Sequence, residues 1–190
     1  MKALAINGSP RKNGNTSILL QAVLAELKNE GIDTELIELS GKKIRGCIAC
    51  FKCMENKNKK CAIETDYLNE VMDLMLGADC IILGSPTYFT DITTEMKALI
   101  DRAGMVSRAN GSLLRMKVGA AVVAARRAGS IHAFDTLNHF FLINEMIISG
   151  SSYWNVAFGR NIGEVEKDEE GMATMKDLGK NIGWLLKKIS

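Results

Sequence analysis

Short apolar runs alternate along this chain with longer segments in which apolar residues recur at helical spacing. The runs at 4–6, 80–83 and 118–125 are apolar at successive positions, which is typical of strands that are buried on both faces. Residues 34–39 alternate between polar and apolar, which predicts a strand with one wetter face, and 152–158 is predicted as a further strand. The pattern therefore predicts a sheet of five strands.

Amphipathic segments separate the predicted strands. Apolar residues three and four positions apart predict five helices, at 15–30, about 68–77, about 96–103, 131–148 and about 178–189. Parallel strands need crossover connections, so the alternation predicts a doubly wound parallel sheet in the order 2-1-3-4-5, with helices on both faces. We predict one α/β domain over residues 1–190, with an irregular cysteine-rich insertion at about 40–65.

Composition narrows the functional classes. The 190 residues carry a formal net charge of +2, too small for the basic surface of a nucleic-acid-binding protein, so we expect no nucleic-acid partner. No apolar run approaches the roughly 20 residues of a membrane span and the N-terminus lacks an apolar leader, so we expect a cytoplasmic protein without a membrane partner. Structural disulfides are rare in that compartment, so the clustered members of the five cysteines indicate a metal site or redox chemistry.

A ligand is expected where the strand order reverses, between the loops that follow the first and third strands. The loop at 8–17 joins a buried strand to a helix start, and a helix N-terminus binds phosphate through its free N–H groups. The loop fits neither the Walker A nor the GxGxxG motif, and a capped turn without a ligand is the alternative interpretation. The candidate phosphate-binding residues are Ser9, Arg11, Asn13, Asn15, Thr16 and Ser17.

The loops after the third and fourth strands offer further candidates. Pro86 stiffens the first of them, so that backbone N–H groups can face the edge of a flat heterocycle, and Tyr88 and Phe89 offer aromatic surface. The alternative is that both aromatic side chains only cap the core. The two arginines of the basic turn at 125–130 could stabilise negative charge on a ligand, with a solvated turn as the alternative. The candidates from these loops are Pro86, Thr87, Tyr88, Phe89, Arg126 and Gly129.

Four cysteines lie close together in the insertion, with the spacing Cys47-x2-Cys50-x2-Cys53-x7-Cys61. Four thiolates suffice for one [4Fe–4S] cluster, and a zinc site needs the same number of ligands. The CxxCxxC triplet is less typical of zinc, and we expect the insertion on the same rim of the sheet as the other loops. A loop without metal is the third possibility. Cys80 lies in a predicted strand and is expected to be buried.

Three motifs together resemble a known family. Gly8–Thr16 looks like the phosphate loop of the NAD(P)H-dependent FMN reductases, which have a flavodoxin-like fold, and Gly84–Phe89 looks like their second motif. Gly46–Cys61 is similar to the cysteine motif of the iron–sulfur flavoproteins, a subgroup of that family. The resemblance implies FMN bound between the first two motifs, a [4Fe–4S] cluster on the four cysteines, and a homodimer or homotetramer. In this family the basic turn could stabilise a reduced flavin or meet nicotinamide phosphates, although it departs from the Gly-Gly-rich version found in many relatives.

The resemblance implies an FMN-dependent oxidoreductase that moves electrons between NAD(P)H or ferredoxin and an acceptor such as a quinone. The flavin then carries the chemistry, and no catalytic side chain is expected. One alternative is a flavodoxin-like electron carrier without a small-molecule substrate. A zinc-stabilised binding module is the other.

Overall fold

The computed structural model describes residues 1–189. The strands are β1 (Lys2–Asn7), β2 (Asp33–Glu38), β3 (Cys80–Pro86), β4 (Val118–Ala125), β5 (Ile147–Ile148) and β6 (Val156–Phe158). The helices are α1 (Asn15–Asn29), α2 (Lys52–Asn56), α3 (Leu68–Gly77), α4 (Thr94–Ala109), α5 (Ser130–Ile143) and α6 (Glu169–Ile189), and a short 3-10 helix, Glu164–Lys167, precedes α6. None of these helices of the described chain is long and apolar enough to cross a membrane.

The strands form one parallel sheet in the order β2-β1-β3-β4-β5, which confirms the predicted doubly wound topology. One buried cluster lies between the sheet and α3, α4 and α5, and the other lies between the sheet and α1 and α6. Alternate residues of β1 enter opposite clusters: Leu4 and Ile6 enter the first, and Ala3 and Ala5 enter the second. Because both faces of the strand are covered, its sequence is apolar at successive positions.

The fifth position of the sheet differs from the prediction. β5 pairs with the start of β4 and β6 pairs with its end, so two short strands together occupy the fifth position of the sheet. Between them the chain leaves the ladder at 149–155, and the Asn155 side chain donates from Nδ2 to the carbonyl of Ala121 at 3.0 Å. The predicted strand at 152–158 is therefore reduced to Val156–Phe158.

The helix predicted at 131–148 is also shorter than expected. α5 ends at Ile143, and the Asn144 side chain donates to the carbonyl of Phe140 at 2.8 Å. Glu145 adopts a positive φ of 58°, which turns the chain back to the sheet. The apolar spacing continues beyond the turn because β5 also packs against the core.

The carboxyl ends of β1 and β3 meet at the reversal of strand order, and their loops are bonded to each other. The Gly8 N–H donates to the carbonyl of Gly84 at 2.8 Å, and the Thr93 hydroxyl donates to the carbonyl of Gly8 at 2.8 Å. A Cβ on Gly8 would lie 2.9 Å from the Met96 Cβ, so this close approach requires glycine. The fold thereby brings the two most distinctive loops of the sequence together.

Candidate functional site

A cavity of about 250 Å³ opens between the loops that follow β1, β3 and β4. Eight of the twelve residues predicted as cofactor contacts line it: Ser9, Arg11, Asn15, Thr16, Pro86, Thr87, Tyr88 and Arg126. The other lining residues are Ala124, Ala125, Gly159, Arg160 and Ile162. The cavity therefore lies where the doubly wound topology places ligands.

The N-terminus of α1 forms one wall of this cavity. Gly14 is its N-cap, no side chain caps the helix, and its first turn contains no acidic residue. Three arginines, Arg11, Arg126 and Arg160, also line the cavity, and no lining residue within 1–189 is acidic. Free N–H groups at a helix N-terminus beside positive side chains form a site for a phosphate group.

Two of the predicted phosphate-loop residues point elsewhere. Ser17 is buried and donates from Oγ to Glu38 Oε1 at 3.2 Å, while Asn7 donates from Nδ2 to Glu38 Oε2 at 2.7 Å. Asn13 is exposed and has a positive φ of 52°, so it shapes the loop. Neither residue lines the cavity.

Phe89 and Gly129 also lie outside the cavity lining. Phe89 and Thr90 form the centre of a tight turn closed by paired backbone hydrogen bonds between Tyr88 and Asp91, and both have positive φ angles, 46° and 72°. This conformation is costly for residues other than glycine and asparagine, and it leaves the Phe89 ring fully exposed. Gly129 has a φ of 82° and approaches Thr90 so closely that a Cβ would lie 3.3 Å from its Cα.

A segment that the sequence did not single out completes the cavity. Asn15 donates from Nδ2 to the carbonyls of Gly159 and Asn161 at 3.0 Å each, and its Oδ1 accepts from the Gly163 N–H at 2.9 Å. Arg11 donates from Nη1 to the carbonyl of Arg160 at 3.2 Å. Asn15, predicted as a cofactor contact, therefore uses its side-chain hydrogen bonds to position the 159–163 segment. The position of the Asn15 amide at the start of α1 indicated a role in the site, but the sequence did not indicate that its hydrogen-bond partners lie in the 159–163 segment.

Glu164 supports the same segment from its far end. Its Oε2 accepts from the backbone N–H groups of Arg160 at 2.8 Å and Asn161 at 2.9 Å. Hydrogen bonds from the Asn161 backbone and side chain, and then from the Arg160 backbone, lower the pKa of Glu164 to about 2. An acidic stretch such as 164–170 is typical of a solvated lead-in to a helix, whereas the Glu164 carboxylate organises the rim of the cavity.

We predict that Glu164 stabilises the segment fully above pH 4.5, its ordinary pKa, and that this support is lost as pH falls towards about 2. Carboxyl NMR of labelled protein should show the Glu164 resonance titrating near 2. Glu164→Gln should weaken the order of 159–163, seen as faster amide hydrogen exchange there. A Glu164 midpoint near 4.5 would contradict the assignment.

Thr87 carries a polar atom without a partner. Its N–H donates to the carbonyl of Ala124 at 2.9 Å, which ties the β3 loop to β4. Its Oγ1 is buried and has no hydrogen-bond partner within the described residues. Buried hydroxyls are nearly always hydrogen-bonded, so this atom at the cavity wall is suited to a ligand.

The four cysteines of the insertion line a second, small and mostly apolar cavity beside α4. Cys47 and Cys50 are exposed, Cys53 and Cys61 are partly buried, and burial raises the pKa of the Cys53 thiol. Among residues 1–189, no three His, Cys, Asp or Glu side chains are placed to hold a single metal ion. Cys80 is buried in β3 as predicted, and burial raises the pKa of its thiol.

The insertion leaves the rim on which we expected it. It begins there, where the Ser40 hydroxyl donates to the carbonyl of Pro10 at 2.9 Å, and then runs along α4. The Lys59 N–H donates to Oδ1 of Asn110, the C-cap of α4, at 3.0 Å. The α4 residues that line the cysteine cavity, Arg102, Met105 and Val106, lie two or more turns after the start of this helix at the rim. The cysteines therefore lie along the helix and not beside the loops that follow β1 and β3.

A buried ion pair anchors the insertion. Arg102 on α4 donates from Nη1 to Asp66 Oδ2 at 2.5 Å and to the carbonyl of Arg45 at 3.0 Å, and from Nη2 to Cys61 Sγ at 3.3 Å. The Arg102 and Asp66 side chains are only 1% and 5% exposed. Burial alone would raise the pKa of Asp66, but hydrogen bonds from Arg102 and the Arg45 N–H outweigh it and hold the pKa below its usual value.

Comparison with known proteins identifies the family. Residues 1–161 match the profile of the NADPH-dependent FMN reductases. The chain belongs to this family. It is 38% identical to an iron-sulfur flavoprotein of Methanocaldococcus jannaschii, over 100% of this chain and 99% of that protein. An iron-sulfur flavoprotein of Methanosarcina thermophila is 31% identical, over 96% of this chain and 93% of that protein.

Solved structures show the same fold. RosB, solved with 8-demethyl-8-formylriboflavin-5'-phosphate, superposes with a TM-score of 0.81 at 17% identity, over 100% of this chain and 80% of RosB. A flavodoxin from the domain Archaea superposes with a TM-score of 0.64 at 17% identity, over 98% of this chain and 99% of that protein. The predicted flavodoxin-like architecture is therefore confirmed.

FMN, the cofactor that this FMN reductase family implies, fits the residues of the first cavity. The uncapped start of α1 and three arginines suit its phosphate, and the unpartnered Thr87 hydroxyl suits a polar atom of its ring. Family membership makes the chain a flavin-dependent oxidoreductase, as predicted, and disfavours the zinc-stabilised binding module.

Proposed function

We propose that this FMN reductase family member is an iron–sulfur flavoprotein that moves electrons between NAD(P)H or ferredoxin and an acceptor such as a quinone. The observation that carries the proposal is the cavity at the reversal of strand order, where an uncapped helix start, three arginines and an unpartnered hydroxyl converge. Bound FMN supplies hydride and single-electron transfer, while the protein binds and orients it.

The eight predicted residues that line the cavity divide into two groups. Ser9, Arg11, Thr16 and the first-turn N–H groups of α1 would hold the phosphate, with Asn15 positioning the segment opposite them. The flavin ring would lie against the β3 loop, and Arg126 would favour negative charge on the reduced ring. Pro86, Thr87 and Tyr88, which line the cavity, would make the contacts of the β3 loop with the ring.

The four cysteines are proposed as the ligands of one [4Fe–4S] cluster. Their side chains line one apolar cavity without forming a site for a single ion. A four-iron cluster is larger than a single zinc ion, so its four thiolate ligands lie further apart than those of one zinc ion. The relatives named iron-sulfur flavoproteins add support, because they match nearly the whole chain.

Large apolar side chains on the surface favour the homodimer or homotetramer that the resemblance implies. Tyr153 and Trp154, whose ring centroids lie 6.2 Å apart, are each more than half exposed and form one apolar patch. Exposed apolar patches commonly mark protein interfaces. Light scattering coupled to size-exclusion chromatography would give the mass of the particle.

Anaerobically purified protein tests the proposal directly. Flavin released on denaturation should be FMN, and iron and sulfide should each approach about four per chain. Cys61→Ser should lose iron and sulfide while keeping FMN. Assays with NADH, NADPH or reduced ferredoxin, each with a quinone, identify the donor. Zinc without sulfide would contradict the cluster, and fast ferredoxin reduction without NAD(P)H turnover would favour the electron carrier.

Thr87→Val should weaken FMN binding about five- to tenfold, because it removes the buried hydroxyl while keeping the shape of the side chain. Thr87→Ser, which keeps the hydroxyl, should bind FMN nearly as the unaltered protein does. Titration of apoprotein into FMN, followed by quenching of flavin fluorescence, measures both. Equal affinities for the valine and serine variants would contradict the proposed contact.

A further inference from the structure

A buried guanidinium faces the cavity that the four cysteines share. Arg102 lines this cavity, and its side chain is 1% exposed. Its Nη2 donates to Cys61 Sγ at 3.3 Å. No other charged side chain within residues 1–189 lines the cavity, whose remaining wall is largely apolar.

The guanidinium is held in place from both ends of the insertion. Nη1 donates to the carbonyl of Arg45, which precedes the cysteines, and to the carboxylate of Asp66, which follows them. Nη2 also donates to the carbonyl of Ile63 at 3.3 Å. Nε is buried without a partner within the described residues. A side chain fixed by four acceptors keeps its charge at one distance from Cys61.

We propose that Arg102 is a positioning residue that raises the reduction potential of the [4Fe–4S] cluster through its hydrogen bond to Cys61 and its buried charge. The inference rests on the proposed function. Reduction adds one electron, taken from ferredoxin or bound FMN, and makes the cluster more negative without forming or breaking a bond. A hydrogen bond to a ligand sulfur and a nearby positive charge both favour the more negative state.

The surroundings strengthen this effect. The Arg102 side chain is 1% exposed and the buried Val106 lines the cavity beside it, so water screens the interaction poorly on this side. The lysines of the insertion are exposed, so water and salt screen the effect of their charges on the cluster. Asp66 offsets part of the guanidinium charge but makes no hydrogen bond to sulfur, so the Arg102–Cys61 contact distinguishes this arginine.

EPR-monitored redox titration of the anaerobic holoprotein tests the inference. In Arg102→Met the ratio of reduced to oxidised cluster at a fixed potential should fall about tenfold, which is a shift of about −59 mV for one electron. Arg102→Lys keeps a charge that can pair with Asp66 on a shorter chain, so it should fold and shift the potential in the same direction by less.

Two controls separate electrostatics from structure. Arg108→Met removes an exposed arginine of the same helix and should leave the potential unchanged. Asn69 clamps the Cys61 backbone, accepting from its N–H at 2.8 Å and donating to its carbonyl at 2.9 Å, without touching the sulfur. Asn69→Ala should therefore lower the cluster content without moving the potential.

An unchanged potential in Arg102→Met or Arg102→Lys, with iron and sulfide retained, would overturn the inference. Loss of the cluster from both variants with FMN retained would also overturn it, and would assign Arg102 a purely structural role. An unaltered protein that lacks iron and sulfide would instead contradict the proposed function, so the two failures are distinguishable.

Discussion

Replacing Asp66 with alanine should lower the free energy of unfolding by about 3–5 kcal/mol, because it leaves the charge of Arg102 buried without its partner. The two side chains are 5% and 1% exposed, so water cannot replace the lost carboxylate. The same carboxylate accepts from the Arg45 N–H at 3.0 Å, which ties the start of the insertion to its end. Urea unfolding of the anaerobic protein, followed by circular dichroism, measures the change.

Glu145→Ala is the matched control. Glu145 pairs with Arg108, on the same helix as Arg102, and with Arg115, but these side chains are 45–66% exposed. Exposed ion pairs contribute less than about 1 kcal/mol, so this variant should unfold nearly as the unaltered protein does. Similar small losses in both variants would contradict the buried pair.

The Asp66 contribution should also depend on pH. Burial favours the neutral acid, but the hydrogen bonds outweigh it, so the folded pKa lies below the usual 3.8. The stabilisation is therefore fully present above about pH 4 and is lost as pH falls through the lower, folded pKa. Stability should fall more steeply below pH 4 in the unaltered protein than in Asp66→Asn.

Asn15→Ala should weaken FMN binding about 10- to 100-fold, equivalent to about 1.4–2.8 kcal/mol. The variant removes three hydrogen bonds that hold 159–163 against the start of α1. Each such bond contributes about 0.5–1.5 kcal/mol, and the segment must then be ordered when FMN binds. Isothermal titration of apoprotein with FMN measures the dissociation constant.

Asn181→Ala provides the comparison. Asn181 donates one hydrogen bond, to the carbonyl of Gly150 at 2.9 Å, and does not line the cavity. Its FMN affinity should stay within about twofold of the unaltered protein. If Asn15→Ala binds FMN equally well, the 159–163 segment does not position the cofactor.

The sheet and the place of the site could be predicted because their signals are local. The runs at 80–83 and 118–125 are apolar at successive positions since helices cover both faces of β3 and β4. Five such units allow a doubly wound order, and that order places a ligand where Gly8 and Gly84 meet.

Roles within the site were less predictable, because similar side chains in one loop serve different purposes. Thr16 and Ser17 are both buried, but Thr16 lines the cavity, whereas the Ser17 hydroxyl bonds to Glu38. Asn15 lines the cavity, but its side-chain amide forms hydrogen bonds with a segment about 145 residues further along the chain. A helix turns by about 100° per residue, so one step decides whether a hydroxyl faces a ligand or the core.

By itself, the sequence determined the doubly wound sheet, the FMN reductase motifs and the four cysteines available for a cluster. Only the tertiary structure decided that the fifth strand is split, that 159–163 closes the cavity, and that Arg102 reaches Cys61 across 41 residues. Hydrophobic periodicity indicates which residues are buried, but it does not indicate which distant group a polar side chain will bond to. The spacing of the four cysteines is evident in the sequence, whereas the buried charge of Arg102 beside them is evident only in the structure.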